Sequence, residues 1–210
     1  MDGVTLDTEP LYTKAEINLF NEYNITIPED DWSLFRGSSE KQFYKLTMKK
    51  YNIKEDFDVF MNKGRQCVQN EFNGHIPLMD GFKMLHKRIS PQFLMGLVTA
   101  SPIQMLNKIN KKIKLHMFFD QILSGEAAKK NKPHPAPYLL MMNMLDTLPQ
   151  NTIIIEDSLT GINSAIASGA HVIAKTGSVP TKKLNHVSNI INHLDEITIE
   201  FLEQILKSTK

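Results

Sequence analysis

The chain has 210 residues, 41% of them hydrophobic, enough for a sizeable core as one domain or as a core with an inserted subdomain. Lys and Arg number 24 against 23 Asp and Glu, a net charge of +1, so no field of one sign points to a nucleic acid or an anionic membrane as partner. The single cysteine, Cys67, excludes an internal disulfide, no apolar run is long enough to span a bilayer, and the acidic start has no apolar signal segment, which together leave the cytoplasm as the default compartment.

The chain opens on MDGVTLDTEPLY, a glycine turn with Asp2 and Asp7 around it and no strand in front. The first third then reads as helices. LYTKAEINLFNEYNI sets Leu11, Ala15, Leu19 and Tyr23 at helical spacing. SSEKQFYKLTMKKYNI starts on a serine cap and carries Phe43, Leu46 and Met48. EDFDVFMNKGRQCVQNEF carries Phe57, Phe60, Met61 and Val68, and loops with Pro28 and Gly37 separate the three.

Past residue 77 the pattern changes. GFKMLHKRI (81–89) reads as a helix, and FLMGLV (93–98) as a short buried strand. PIQMLNKINKKI (102–113) is helical, a short strand lies within 117–125, and PAPYLLMMNML (135–145) is again helical. TIIIED (152–157) is a second buried strand and LTGINSAIASG (159–169) the helix after it. HVIAK (171–175) and NII (189–191) read as strands, and IEFLEQILK (199–207) as the closing helix. Buried strands alternating with helices imply an α/β fold with a parallel sheet covered on both faces. The expected organisation is an N-terminal loop over 1–10, a helical subdomain over 11–76 and an α/β core over 77–210.

In an open parallel sheet, ligands bind beyond the carboxyl ends of the strands, so the residues after each apolar run carry the functional reading. After FLMGLV come Thr99, Ala100, Ser101 and Pro102. A hydroxyl before a proline is a helix N-cap arrangement, and the same hydroxyl with free backbone N–H groups makes an anion pocket. Lys132 precedes Pro133, His134 and Pro135 at the entry of a helix, where a cation is unfavourable unless it meets an anion. His134 reads as a surface or capping residue. After TIII come Glu156, Asp157 and Ser158. Adjacent carboxylates repel unless a cation sits with them, and an acidic first turn of a helix is the plainer alternative. Taken together in chain order, a hydroxyl, a lysine and an acid pair behind a glycine turn bearing Asp2 are the parts of a phosphoryl-transfer site: donors and a cation for phosphate oxygens, carboxylates for Mg²⁺.

These stretches, MDGVTLDTEPLY, LFRGSSE, IPLMDGFKMLHK, GLVTASP, KPHPAPYL and IIIEDSLTGINSAIASGA, resemble the haloacid dehalogenase superfamily, in the subgroup of sugar-phosphate phosphatases and β-phosphoglucomutase relatives. The resemblance implies a Rossmann-like core with a four-helix cap inserted after the first motif. It implies a small phosphorylated metabolite as substrate and Mg²⁺ as cofactor. Thr99 with the N–H groups of Ala100 and Ser101 would bind the phosphoryl, Lys132 would neutralise it, and Glu156 and Asp157 would hold the metal together with Asp2. Asp2 would also be the general acid and base. Asp7, Thr8, Tyr12, Arg36 and Gly37 would lie toward the cap and substrate.

The resemblance departs at the start. The family motif pairs two aspartates one residue apart, the first being the nucleophile; Met1 holds the middle place and Asp2 the second, so the nucleophile would stand just before Met1, at the end of a first, central strand. The expectation is that the active form is longer at its N-terminus, and that the 210-residue chain neither turns over phosphate esters nor behaves as a stable monomer. A mutase is the second reading, but Tyr12 and Glu40 stand where the mutases carry a histidine and a cation, and a carboxylate repels a second phosphate. A non-catalytic phosphate-binding protein is the third.

Overall fold

Residues 1–35, 40–177, 179 and 181–208 are described in a computed structural model. The chain divides into two compact units, one of Met1–Asp7 with Pro77–Lys210 and one of Thr8–Ile76. Among the described residues, no helix is long and apolar enough to cross a membrane.

The Thr8–Ile76 unit is helical: α1 (Glu9–Asn21), α2 (Glu29–Phe35), α3 (Glu40–Lys50) and α4 (Phe57–Glu71). Its core is aromatic. Phe60 is fully buried, with the rings of Phe20, Tyr23 and Tyr44 at centroid distances of 6.0, 5.3 and 5.6 Å, all near edge-to-face. Asp56 caps α4, its Oδ1 accepting from the N–H groups of Asp58 and Val59. In α3 the buried face is Phe43, Tyr44 and Thr47, whereas Leu46 is 37% exposed. Apolar spacing pointed to Leu46, but Thr47 can be buried at little cost because its hydroxyl donates back to the Phe43 carbonyl at 2.9 Å. The short α2 carries no periodic apolar signal of its own, and its first turn is Glu29, Asp30 and Asp31. The serine cap expected before α3 falls on residues 38 and 39, outside the described residues. Replacing Phe60 by alanine is expected to cost this unit about 3–5 kcal/mol, since its three aromatic neighbours cannot close over the void; urea unfolding followed by tyrosine fluorescence measures it.

The other unit alternates helix and strand. In chain order it holds α5 (Phe82–Ile89), β1 (Gly96–Val98), α6 (Ile103–Ile113), β2 (Gln121–Leu123), α7 (Ala136–Met144), β3 (Ile153–Glu156), α8 (Leu159–Ala167), β4 (His171–Lys175), β5 (Asn189–Ile191) and α9 (Ile199–Lys207). All the strand pairings are parallel. β1 is shorter than its apolar run, because Leu94 is 65% exposed and the Met95 amide is held by the Asp120 carboxylate at 2.7 Å.

The strands form two sheets rather than one. β1 pairs with β2, Leu97 opposite Ile122, while β3, β4 and β5 pair in that order, Ile155 opposite Ile173 and Ala174 opposite Ile190. Between them lies a cavity of about 360 Å³, lined by β1 from Gly96 to Val98, by β3 from Ile153 to Glu156, by apolar side chains of α5, α7 and α9, and by Met1. Met1 lies where this cavity meets the carboxyl end of β3, which places the chain's first turn among the strand ends.

Candidate active site

That first turn is tight. The Met1 carbonyl accepts from the amides of Thr5 and Leu6 at 2.8 and 3.1 Å, and Gly3 donates to the Leu6 carbonyl at 2.8 Å. Gly3 has φ +68°, and a Cβ there would overlap the carboxylate of Asp157. Both the backbone and the close approach therefore demand glycine. The consequence is that the Asp2–Gly3 turn sits directly against Asp157. A short bridge from Leu6 to Leu78 and the Asp7 amide on the Pro77 carbonyl at 3.0 Å tie the end of the turn to the start of the core segment.

Thr99 directly follows β1 and is buried, its amide donating to the Leu123 carbonyl at 3.0 Å. Its hydroxyl accepts from the Ser101 amide at 3.0 Å, which folds the Thr99–Ser101 turn. Helix α6 starts one residue later than the proline rule places it, with Pro102 as the capping residue. The cap is supplied from a distance: the Glu126 carboxylate accepts from the Ile103 amide at 2.7 Å. Glu126 lies in the loop after β2, 23 residues away in sequence, and no local pattern announces it. Thr99, Ala100, Ser124, Gly125, Asn131 and Lys132 line a small pocket of about 10 Å³.

Lys132 is inside. Its side chain is only 10% exposed; its ammonium pairs with Glu156, donates to the Val98 carbonyl at 3.3 Å and lies 4.8 Å from the centre of the Tyr138 ring. Glu156, 5% exposed, also accepts from the Tyr138 hydroxyl, and from the Ser158 hydroxyl at 3.0 Å. Burial by itself would raise the Glu156 carboxyl. The charge of Lys132, with hydrogen bonds from Lys132 and Tyr138, outweighs it and holds the group below the usual carboxylate range. Burial, and then the Glu156 charge, push the Tyr138 hydroxyl up, so it stays a donor. A Cβ at Gly161 would overlap the Glu156 carboxylate, so the first turn of α8 closes over this network only because residue 161 is glycine. Ser158 caps that helix, accepting from the Gly161 amide at 3.1 Å.

The structure thus brings Thr99 to the same pocket as Lys132, Lys132 to Glu156, and the Asp2–Gly3 turn to Asp157. It does not gather Asp2, Glu156 and Asp157 into a metal cage: among the described residues no three His, Cys, Asp or Glu side chains cluster at metal-binding distance. Glu156 instead meets Lys132, Tyr138 and Ser158. His134 caps, its Nδ1 accepting from the Ala136 amide at 3.1 Å, and its carbonyl takes the Ser164 hydroxyl at 2.7 Å, which ties the lysine loop to α8. Asp7 ends the core unit's first segment; Thr8 and Tyr12 belong to the helical unit, where Tyr12 packs edge-on against Phe72 at 5.5 Å. Arg36 and Gly37 lie outside the described residues. Tyr138 and Glu126 escaped the sequence reading, which places Ser158 beside the acid pair without a role of its own; Tyr138 stands within KPHPAPYL, but nothing local says that its hydroxyl reaches the acid pair.

The family model of haloacid dehalogenase-like hydrolases matches residues 1–175. The chain belongs to this family. Among curated relatives of this haloacid dehalogenase-like hydrolase, a phosphorylated carbohydrates phosphatase of Thermotoga maritima is 26% identical over 170 residues, covering 80% of this chain and 79% of that one. A 6-phosphogluconate phosphatase of Escherichia coli is 24% identical over 199 residues, covering 93% and 89%. Among solved structures, a family IA, variant 3 hydrolase of Entamoeba histolytica superposes with a TM-score of 0.82 at 22% identity, covering 99% and 97%. That likeness places the fold.

Proposed function

We propose that this haloacid dehalogenase-like hydrolase is a Mg²⁺-dependent phosphomonoester hydrolase for a small phosphorylated sugar or polyol. The observation that carries the reading is the meeting of Thr99, Ala100 and a buried, oriented Lys132 at one pocket beyond β1. A hydroxyl, backbone N–H groups and a fixed ammonium are what a phosphoryl group losing its ester bond needs. The names of the carbohydrate phosphatases among the relatives support the substrate class.

Mg²⁺, when bound, draws charge from the phosphoryl oxygens and screens the carboxylates around it. A hard cation takes oxygen ligands, and the fit is to Asp157 and the main chain of Asp2, brought together by Gly3, rather than to Glu156. Asp2 would hand a proton to the leaving oxygen and take one from the attacking water. The resemblance puts the family's nucleophilic aspartate at the position before Met1, so the assay below is made on a polypeptide that carries that residue.

At Glu40 the repulsion of a second phosphate is softened, since both carboxylate oxygens are engaged by Arg65 at 2.9 and 2.7 Å; the phosphatase reading is favoured over the mutase by the names of the curated relatives. The deciding assay takes a polypeptide extended by an apolar strand ending in aspartate, with Mg²⁺ and a panel of hexose, hexitol and hexonate phosphates. Orthophosphate release without isomerised sugar phosphate is the expected result. Isomerisation without release would install the mutase, and neither would leave the binding protein.

A further inference from the structure

We propose that Tyr138 is a positioning residue for Lys132, acting through both its hydroxyl and its ring. The inference rests on the reading of Lys132 as the cation that meets phosphate. Lysine is a flexible four-carbon stem carrying a point charge, and a pocket that must present that charge in one place has to remove the freedom. Here the ammonium is held from three sides. The Val98 carbonyl takes one proton at 3.3 Å, Glu156 takes another, and the face of Tyr138 lies under it at 4.8 Å.

Glu156 would be a poor anchor alone, because a free carboxylate rotates. The Tyr138 hydroxyl bonds Oε1, the same oxygen that meets Lys132, while the Ser158 hydroxyl holds Oε2 at 3.0 Å. Each oxygen is therefore fixed, and the plane of the carboxylate with it. Tyr138 is itself buried, on the first turn of α7, only six residues after Lys132 in the chain. One helix turn thus carries both the lysine's cation–π partner and the clamp on its counter-ion. This arrangement also accounts for the absence of Glu156 from any carboxylate cluster: its two oxygens are committed to aiming a lysine.

Lysine acetylation read by peptide mass spectrometry tests this without turnover. On the 210-residue polypeptide, with Lys129 and Lys130 of the same loop as exposed references, limiting acetic anhydride should label Lys132 far more slowly than either. Tyr138→Phe keeps the ring and removes the hydroxyl; it should raise Lys132 labelling about tenfold relative to the references, the scale of a lost hydrogen bond to a charged group. Tyr138→Leu removes the ring as well and should raise it further. A purely structural role for Tyr138 would change the unfolding midpoint but leave the relative labelling of Lys132 in the Phe variant where it was, and that result overturns the proposal. Glu156→Gln, which keeps the shape, should release Lys132 too; protection unchanged in that variant would equally sink the idea. A parallel series with orthophosphate separates the two readings. If phosphate protects Lys132 in no variant, the phosphate site fails, while the positioning role is still judged from the ligand-free rates.

Discussion

A polypeptide of residues 1–210 should release orthophosphate from sugar phosphates no faster than buffer, and adding an apolar strand that ends in aspartate before Met1 should switch turnover on by at least about a thousandfold, the scale on which covalent catalysis fails without its nucleophile. The same extension should raise the midpoint of thermal unfolding by about 10 °C or more. A strand laid between β1 and β3 would fill a cavity of about 360 Å³ and join the two sheets into one. Each filled pair of ladder groups and each buried side chain contributes roughly 1 kcal/mol or more, and a domain of this size gains about 2–4 °C per kcal/mol. The two readouts are separable. An extension ending in asparagine should give the stability without the turnover, and an extension that does neither would show that the cavity does not take a strand. Turnover by the unextended polypeptide, dependent on Mg²⁺ and abolished by Lys132→Met, would remove the basis for placing the nucleophile there.

Lys132→Met should destabilise the α/β unit by about 3–5 kcal/mol, because it leaves a charged Glu156 buried beside an apolar side chain. The Lys132–Glu156 pair has side chains 10% and 7% exposed, so solvent cannot relieve the loss. Urea unfolding of the single variant measures the cost. The double variant Lys132→Met with Glu156→Leu should recover most of it, since replacing both charges by apolar groups of similar volume is often neutral or better. Phosphate protection of the pocket should be absent from both. That contrast would identify the pair as an element kept for what it does at the pocket, at some cost in stability. A double variant as unstable as the single one would mean that the packing around the pair, and not its charge balance, carries the energy.

Much of this site can be read along the chain because its parts are local. Thr99 and the acid pair each follow a short apolar run directly, Lys132 follows one after a loop of eight residues, and a parallel sheet sends the ends of such runs to one edge. The helices of the α/β unit could be placed for the same reason: α9 lies where IEFLEQILK reads as helix, and α6, α7 and α8 lie within their periodic stretches. What escaped is what depends on partners far away in sequence. Glu126 caps a helix 23 residues earlier, and Tyr138 clamps a carboxylate 18 residues later. Periodicity carries no record of a hydroxyl's distant acceptor. In α3 the pattern favoured Leu46 for the interior, and a backbone-bonded Thr47 took the place.

The amino-acid order by itself determined the alternation of elements, the family likeness and the groups proposed to meet a phosphate, since each depends on residues a few positions apart. Only the tertiary structure decided how those groups divide their work. Glu156 and Asp157 are neighbours in the chain and look like one acidic pair, yet successive residues at a strand end point to different surroundings. One carboxylate turns inward to Lys132, Tyr138 and Ser158, and the other lies against Gly3 at the opening turn.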